Sequence, residues 1–228
     1  MKSIIIVVFM GFAAPAAAQV GRLPSQSPFR DIDHRQHITL FAGYFAGAEG
    51  RAGVGPQSAP AAGARYELRL GGPLHFTGRL TYVAAQRNVV DPALIGDARQ
   101  LGETSAPLAM VDAGLTLYLT GQKSIWSMVP TVSAGIGVAS DLGEGEDVGG
   151  FGVGTPFAFI FGGGVRYVGR GNLGLRLDVS DNLFKLTYPP SYFIAPSGGT
   201  PLLGPGSEEN EWKHAFLVSL GVSWVFSR

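Results

Sequence analysis

Bulky side chains recur at every second position through residues 212–226, close to the carboxy terminus. These positions are His214, Phe216, Val218, Leu220, Val222, Trp224 and Phe226. The alternate positions carry small or polar residues, among them Ala215, Ser219, Gly221 and Ser223. A period of two predicts a β-strand with one apolar face. The segment is longer than most strands of soluble proteins and is long enough to cross a bilayer at a tilt.

Seven further segments repeat this alternation. We predict strands near residues 37–47, 61–71, 74–87, 108–120, 128–140, 156–168 and 173–184. Together with 212–226 they make eight, the smallest common number in a transmembrane barrel. The pattern therefore predicts an all-β fold, an eight-stranded antiparallel up-and-down transmembrane β-barrel. The first strand is ambiguous, because Phe41 and Phe45 alternate with Leu40 and Tyr44 and either face could meet lipid.

The connections alternate between short and long. Residues 71–73, 121–125 and 169–172 are rich in Gly, Asn and Pro and predict tight turns. The long links are residues 48–60, 88–107, 141–155 and 185–211. Three short periplasmic turns and four long external loops match the asymmetry of bacterial outer-membrane barrels. Aromatic residues near strand ends suit interfacial girdles, namely Tyr82, Trp126, Tyr167, Trp212 and Trp224. A soluble lipocalin-like barrel is the alternative.

The alternation also predicts which charged residues point into the barrel. They are Arg65, Glu67, Arg69, Arg79, Asp112, Arg166, Arg176 and Asp178. Eight strands enclose a space that side chains can fill, so these groups would form a polar plug of arginine–carboxylate hydrogen bonds. Five arginines against three carboxylates leave a narrow anion-biased pore as the alternative. The inward glycines could either leave a cavity or make room for arginines, and these are Gly135, Gly137, Gly162 and Gly164.

The last strand carries a short motif of the form polar-x-Gly-x-x-apolar-x-apolar. Ser219, Gly221, Trp224 and Phe226 match it position by position. The chain thereby resembles small bacterial outer-membrane β-barrels of the OmpA and OmpX type, although Ser227 and Arg228 follow the final aromatic residue. The resemblance implies that the barrel-assembly machinery reads the motif and that outer-membrane lipid and lipopolysaccharide surround the barrel. It also implies a structural or surface-interaction role, with a possible extracellular ligand at the loops.

The amino terminus predicts export. Lys2 precedes an apolar run over residues 4–12, and Ala16, Ala17 and Ala18 form a small-residue cleavage pattern. The run is about half the roughly 20 residues of a spanning helix. We therefore expect a signal peptide over residues 1–18, a periplasmic segment over 19–36 and the barrel over 37–228.

Composition agrees with one exported β domain. The chain has 228 residues, 17 basic and 17 acidic residues, 34 glycines and no cysteine. Balanced charge argues against a nucleic-acid partner. Without disulfides, an exported chain needs a large core or a closed barrel.

The sequence gives little support for a catalytic site. A hydrolase needs Ser, His and a carboxylate in mutual contact. Among His34, His37, His75 and His214, only His214 with Ser219 and Glu211 lies near the external end, and the alternation puts His214 and Ser219 on opposite faces. The His-x-Ser motif of lipid A deacylases is missing, so a lipid-modifying enzyme is the least favoured function. His34 and His37 have no third metal ligand nearby, and we expect no metal and no cofactor.

Two external loops have distinctive compositions. Residues 141–147 include four carboxylates, which predicts a solvated acidic loop with calcium binding as the alternative. Residues 188–194 contain aromatic residues and prolines, which predicts a binding surface or a lid over the barrel mouth.

Overall fold

The computed structural model describes residues 27–227, except His34, Glu144, Arg170 and Pro205. The predicted signal peptide and the beginning of the periplasmic segment lie outside the described residues. The strands within these limits are β1 (Phe29–Asp31), β2 (Gln36–Phe45), β3 (Ala59–Gly71), β4 (Leu74–Val83), β5 (Gln86–Val90), β6 (Gln100–Ser105), β7 (Leu108–Tyr118), β8 (Lys123–Ile125), β9 (Met128–Asp141), β10 (Phe157–Val168), β11 (Leu173–Thr187) and β12 (Asn210–Ser227). Short 3-10 turns occupy Gly96–Arg99 and Pro190–Phe193. None of the helical segments in this part of the chain has the length and apolarity to cross a membrane.

Eight of these strands close into a barrel. Each pairs antiparallel with the next in the order β2, β3, β4, β7, β9, β10, β11 and β12. The barrel closes because β12 also pairs with β2, with Val222 opposite Leu40 and Leu220 opposite Ala42. Closure leaves no unpaired edge in the wall, as lipid requires. The predicted eight-stranded antiparallel fold is confirmed.

The strand boundaries differ from the prediction at two connections. β4 ends at Val83 rather than near residue 87, and the predicted external loop contains the hairpin β5–β6. Gly102, with φ of 116°, lies where the register of this hairpin shifts. At the other end of the barrel, the predicted turn contains β8. The turn from β8 to β9 uses Trp126 and Ser127 at φ of 49° and 65°, without the Gly or Asn that usually marks such a turn.

The outer wall is predominantly apolar, with charged or imidazole side chains only towards the external ends of β11 and β12 among the described residues. Its girdle includes Tyr44 and Tyr82 towards the end with long loops, and Tyr167 and Trp224 towards the end with short turns. We call these the external and periplasmic ends, following the asymmetry of such barrels. The ambiguity of the first strand is resolved, because Leu40 and Tyr44 are exposed on the wall while Phe45 is fully buried inside.

The interior has two layers. The periplasmic half is polar and charged, whereas the external half is filled by apolar side chains that continue under the loops. The apolar layer includes Phe45, Val83, Leu108, Met110, Ile160, Phe184, Leu186 and Leu217 from the strands and Val54, Phe151, Tyr188, Tyr192 and Leu203 from the loops. The sequence prediction of a polar interior did not anticipate this second layer.

The segment before β2 covers the periplasmic end. β1 pairs with β8, and the backbone N–H of Ile32 donates to the carbonyl of Gln122 at 2.8 Å. The side chain of Ile32 is buried against Tyr118 and Val129. The barrel is therefore covered at both ends by its own chain.

Candidate functional site

The eight charged residues predicted for the lumen all lie on inward positions of the barrel strands. Six are buried, namely Arg65, Glu67, Arg79, Arg166, Arg176 and Asp178. The side chain of Asp112 is 9% exposed. Arg69 is half-buried at the periplasmic mouth and donates to the carbonyl oxygen of Ile32 at 3.4 Å. It therefore contacts the covering segment, and no ion pair joins it to another described residue.

Glu67 is the centre of the network. Its Oε2 accepts a hydrogen bond from Nη1 of Arg176 at 2.6 Å and also contacts Nε2 of His37. Its Oε1 lies 4.0 Å from Nη1 of Arg65 and accepts from the hydroxyl of Thr77 at 3.4 Å. Because the carboxylate is completely buried, these donors replace the water that it would otherwise need.

Asp178 joins the same cluster from β11. Its Oδ2 accepts from Nε of Arg176 at 2.6 Å, and its Oδ1 accepts from Nη1 of Arg65 at 3.4 Å. Arg176 and Asp178 are two residues apart in one strand, so both side chains face the lumen. Arg176 thus connects the two carboxylates.

Arg79 spans the lumen at a level closer to the external end. Its Nε donates to Asp112 on the neighbouring strand at 2.8 Å. Its Nη1 donates to Ser180 and its Nη2 to Asn182, both at 2.9 Å, and these residues lie on β11 across the barrel. The planar guanidinium therefore ties β4 to the opposite wall.

Arg166 has no carboxylate partner among the described residues. Its Nη1 donates to the hydroxyl of Tyr118 at 3.1 Å and lies 3.5 Å from Nδ1 of His37, while its Nε has no hydrogen-bond partner. The ring of His75 stacks on Tyr118 with centroids 3.9 Å apart. His37, His75 and Tyr118 were not predicted as members of the network. The alternation already put His75 and Tyr118 on inward positions, and it put His37 there once the faces of the first strand were known.

Inward glycines make room for the carboxylates. A Cβ atom added to Gly164 would lie 2.5 Å from Oδ1 of Asp178, and one added to Gly137 would lie 2.6 Å from Cβ of Asp112. Glycine at these positions lets neighbouring strands carry acidic side chains into a crowded lumen. The side chains accommodated at these two positions are therefore carboxylates, whereas the prediction named either a cavity or room for arginines.

Two of the spaces beside the network are very small. One cavity between Arg65, Arg79, Asp112 and Ile160 has a volume of about 10 Å³, and one beside Ile32, Arg69, His75 and Tyr118 is also about 10 Å³. Each volume holds about one water molecule. Above the network, the apolar layer occupies the external half of the barrel.

The proposed assembly motif is divided between the two faces of β12. Ser219 is buried in the lumen, and Gly221 faces the same side. Trp224 and Phe226 lie on the wall, where Phe226 stacks on Tyr66 with centroids 6.2 Å apart.

The hydrolase grouping considered for His214, Ser219 and Glu211 is not assembled. His214 is on the outer wall and its Nδ1 is 2.6 Å from Oδ2 of Asp181, whereas Ser219 is in the lumen. Glu211 accepts from the hydroxyl of Tyr188 at 2.7 Å and lies 3.1 Å from Nζ of Lys213. The opposite faces of β12 keep His214 and Ser219 apart.

The acidic external loop uses its own carboxylates to hold its shape, and Asp141 accepts from the backbone N–H of Gly143 at 2.8 Å. Asp147 accepts from Nη1 of Arg87 at 2.5 Å and from the backbone N–H groups of Gly149 at 2.9 Å and Phe151 at 3.0 Å. Among the described residues, no cluster of three or more histidine or acidic side chains has the arrangement to hold a metal ion. An open cavity of about 240 Å³ lies beside Arg87 and Asp147.

The aromatic residues of the last external loop point inward. Tyr188 and Tyr192 are buried and stack around Phe151 with centroids 6.0 Å and 6.3 Å from its ring. Of the two predicted arrangements, the loop therefore has the geometry of a lid, and its tyrosines are not surface groups. Burial raises the pKa of Tyr188 to about 12 and also raises the pKa of Tyr192.

No protein-family profile and no curated protein sequence matches the chain. Several solved structures are similar to this chain in fold. The crystal structure of Neisserial surface protein A is 14% identical with a TM-score of 0.50, over 88% of this chain and 98% of that one. OprG from Pseudomonas aeruginosa is 11% identical with a TM-score of 0.48, over 89% and 100% of the two chains. AlkL in lipid bilayers is 15% identical with a TM-score of 0.48, over 91% and 97%.

The chain has the fold of the small outer-membrane β-barrels. A closed barrel with an apolar outer wall is suited to lipid on every side. The fold that the resemblance implied is confirmed, and the apolar wall fits the predicted outer-membrane location.

Proposed function

We propose that this protein is a non-conducting outer-membrane barrel with a structural or surface-interaction role, and that its filled lumen keeps the barrel rigid while the external loops form the surface presented outside the cell. The observation that carries this proposal is the filling of the lumen. Arg65, Arg79 and Arg176 pair with carboxylates across the polar layer, and a second, apolar layer lies above it.

Rigidity follows from the way that the polar layer connects distant strands. Arg176 on β11 pairs with Glu67 on β3, and Arg79 on β4 bonds to Ser180 on β11. Removing one member takes a buried partner away from each of its neighbours, which costs several kcal/mol, about 3–5 for a buried pair. Such a network resists both solvation of the lumen and separation of the strands.

The alternative is a narrow anion-biased pore. The excess of arginine over carboxylate in the lumen supports it, and Arg166 in particular has no carboxylate partner among the described residues. A pore would require a water-filled path past both Arg79 and the apolar layer around Phe184. The dense packing of both layers favours the closed barrel.

A lipid-modifying enzyme is the least favoured function. The histidine nearest the external end, His214, is paired with Asp181 on the wall and is separated from Ser219 by the strand itself. This separation removes the nucleophile–base contact that acyl transfer needs. We therefore propose no catalytic residue.

The deciding experiment is single-channel recording from the refolded mature chain in planar bilayers. Heat-modifiable gel mobility serves as the control for folding. A folded barrel that carries no steady current supports the proposal. A steady anion-selective current overturns it in favour of the pore.

A further inference from the structure

The lipid-facing wall carries acidic or basic side chains at one place. On the outward positions of the eight barrel strands, the charged or imidazole-bearing residues that the structure describes are Asp181, Lys185 and His214. All three lie towards the external ends of two adjacent strands, β11 and β12. We call these residues, together with Trp212, the β11–β12 wall patch.

The members of the patch are held at neighbouring positions. His214 Nδ1 is 2.6 Å from Asp181 Oδ2, and the side chain of His214 is 62% exposed. Lys185 is directly opposite Trp212 in the strand register. The ring of Trp212 lies 5.9 Å from that of Phe159, which places the patch within the external aromatic girdle.

The depth of a charged side chain on the wall determines whether it contacts lipid hydrocarbon or lipid headgroups. A basic side chain on the lipid face is costly at the bilayer midplane but nearly neutral near the interfaces. The patch lies with the interfacial aromatic residues, where lipid headgroups begin. Charges at this level can contact headgroups without entering the hydrocarbon.

The charges of the patch favour an anion. Asp181 is paired with His214, whereas Lys185 forms no ion pair with any residue that the structure describes. Because Nδ1 of His214 contacts Asp181, Nε2 is the ring nitrogen left to face a ligand. Lys185 and His214 can then contact one phosphate together.

We propose that the β11–β12 wall patch binds the phosphate group of a phosphorylated lipid in the outer leaflet, with Lys185 and His214 as donors and Trp212 packed against the lipid. The occupant is a lipid rather than a soluble anion because all three side chains are on the face that the surrounding lipid covers. This inference does not depend on whether the lumen conducts.

The test is lipid retention by the full mature chain. The barrel is reconstituted in phosphatidylcholine nanodiscs that contain either phosphorylated lipid A or the same lipid A with its phosphates removed. Lipid retained per barrel is then counted by native mass spectrometry after transfer to detergent. Each basic group near a membrane surface contributes about 1 kcal/mol, so we expect about fivefold preference for the phosphorylated lipid per contact.

Substitutions on the wall make the test specific. The double variant K185Q/H214Q should lose the preference, and K185R should keep it because the charge is retained. K123Q neutralises an exposed lysine on β8, outside the barrel wall at the periplasmic end, and should have no effect. Heat-modifiable mobility reports folding of each variant, and none of these side chains faces the lumen.

Three results would overturn the proposal. The first is equal retention of the two lipids by the wild-type barrel, and the second is an unchanged preference in K185Q/H214Q. The third is loss of chemical cross-linking between barrels in the double variant without any change in lipid retention. That last result would assign the patch to contact with a second copy of the chain.

Discussion

Glu67 shows how much depends on single residues in the polar layer. Three basic side chains converge on it, those of His37, Arg65 and Arg176, and no part of its side chain is exposed. The substitution Glu67→Gln keeps the size but removes the charge. Because two arginines then lose a buried partner, we expect a loss of about 3–5 kcal/mol in the free energy of unfolding. Urea unfolding of the barrel in vesicles measures this loss.

The control for this prediction is Glu208→Gln in the last external loop, where the residue is exposed. It should change the free energy of unfolding by less than about 0.5 kcal/mol. Equal stability of E67Q and E208Q would contradict the central position assigned to Glu67.

Gly164 and Gly163 provide a matched pair of positions in one strand. A Cβ on Gly164 would meet the backbone carbonyl oxygen of Leu177 and, at 2.5 Å, Oδ1 of Asp178, whereas a Cβ on Gly163 would meet only the carbonyl oxygen of Thr131 at 3.4 Å. Overpacking of a tight interior costs about 1–3 kcal/mol. We therefore expect Gly164→Ala to destabilise the barrel and Gly163→Ala to leave it nearly unchanged, as measured by urea unfolding. The reverse order would indicate that the lumen has room around Asp178.

The alternation of residues along each strand predicted which side chains face lipid and which face the lumen, but it did not predict the contacts between strands. Arg79 reaches Ser180 and Asn182 across the lumen, and that contact depends on the stagger of the closed barrel, which a period of two does not encode. The hairpin β5–β6 was missed because it lies outside the membrane, where no apolar face marks its strands.

The apolar external layer was present in the pattern but was not recognised. Along β11, the inward residues change from Arg176 and Asp178, through Ser180 and Asn182, to Phe184 and finally Leu186. This gradient predicts a change of lumen chemistry with depth. The predicted lumen contained only the charged members of this series, whereas Phe184 and Leu186 belong to the apolar layer.

The packing of the lid loop, residues 188–194, should loosen at high pH. The pKa of Tyr188 is raised from 10 to about 12 because the side chain is buried and donates to Glu211. A group with a raised folded-state pKa stabilises fully below its unfolded value and loses that contribution as pH rises through the folded value. We expect the loop to remain packed to about pH 10 and to loosen between pH 10 and 12, as followed by near-ultraviolet circular dichroism.

The variant Tyr188→Phe separates ionisation from packing in this loop. It keeps the ring against Phe151 and removes the ionisable hydroxyl, so its signal should persist to higher pH than that of the wild type. Tyr192 remains as a second group whose pKa burial raises. Identical pH profiles for the two proteins would show that Tyr188 does not control the packing of the lid.

The two layers of the lumen contribute separately to the barrel, one by linking its strands and the other by covering the external side. The polar layer links the strands through Arg79, whereas the apolar layer around Phe45, Phe184 and Leu217 covers the external side of that network. If both layers close the barrel, removing one polar link should lower the thermal stability of the barrel without opening a path for ions. A pore would behave differently, because an arginine in a conducting path changes the current directly.

The substitution Arg79→Ala distinguishes these two behaviours. It removes the bonds to Asp112, Ser180 and Asn182 and leaves the apolar layer in place. We expect a lower temperature for the heat-modifiable mobility shift, with no new anion-selective current in planar bilayers. The control, Arg30→Ala, changes an exposed residue at the periplasmic end and should affect neither measurement. An altered anion current in R79A at unchanged thermal stability would favour the pore, because Arg79 would then act on ions rather than on the strands that it joins.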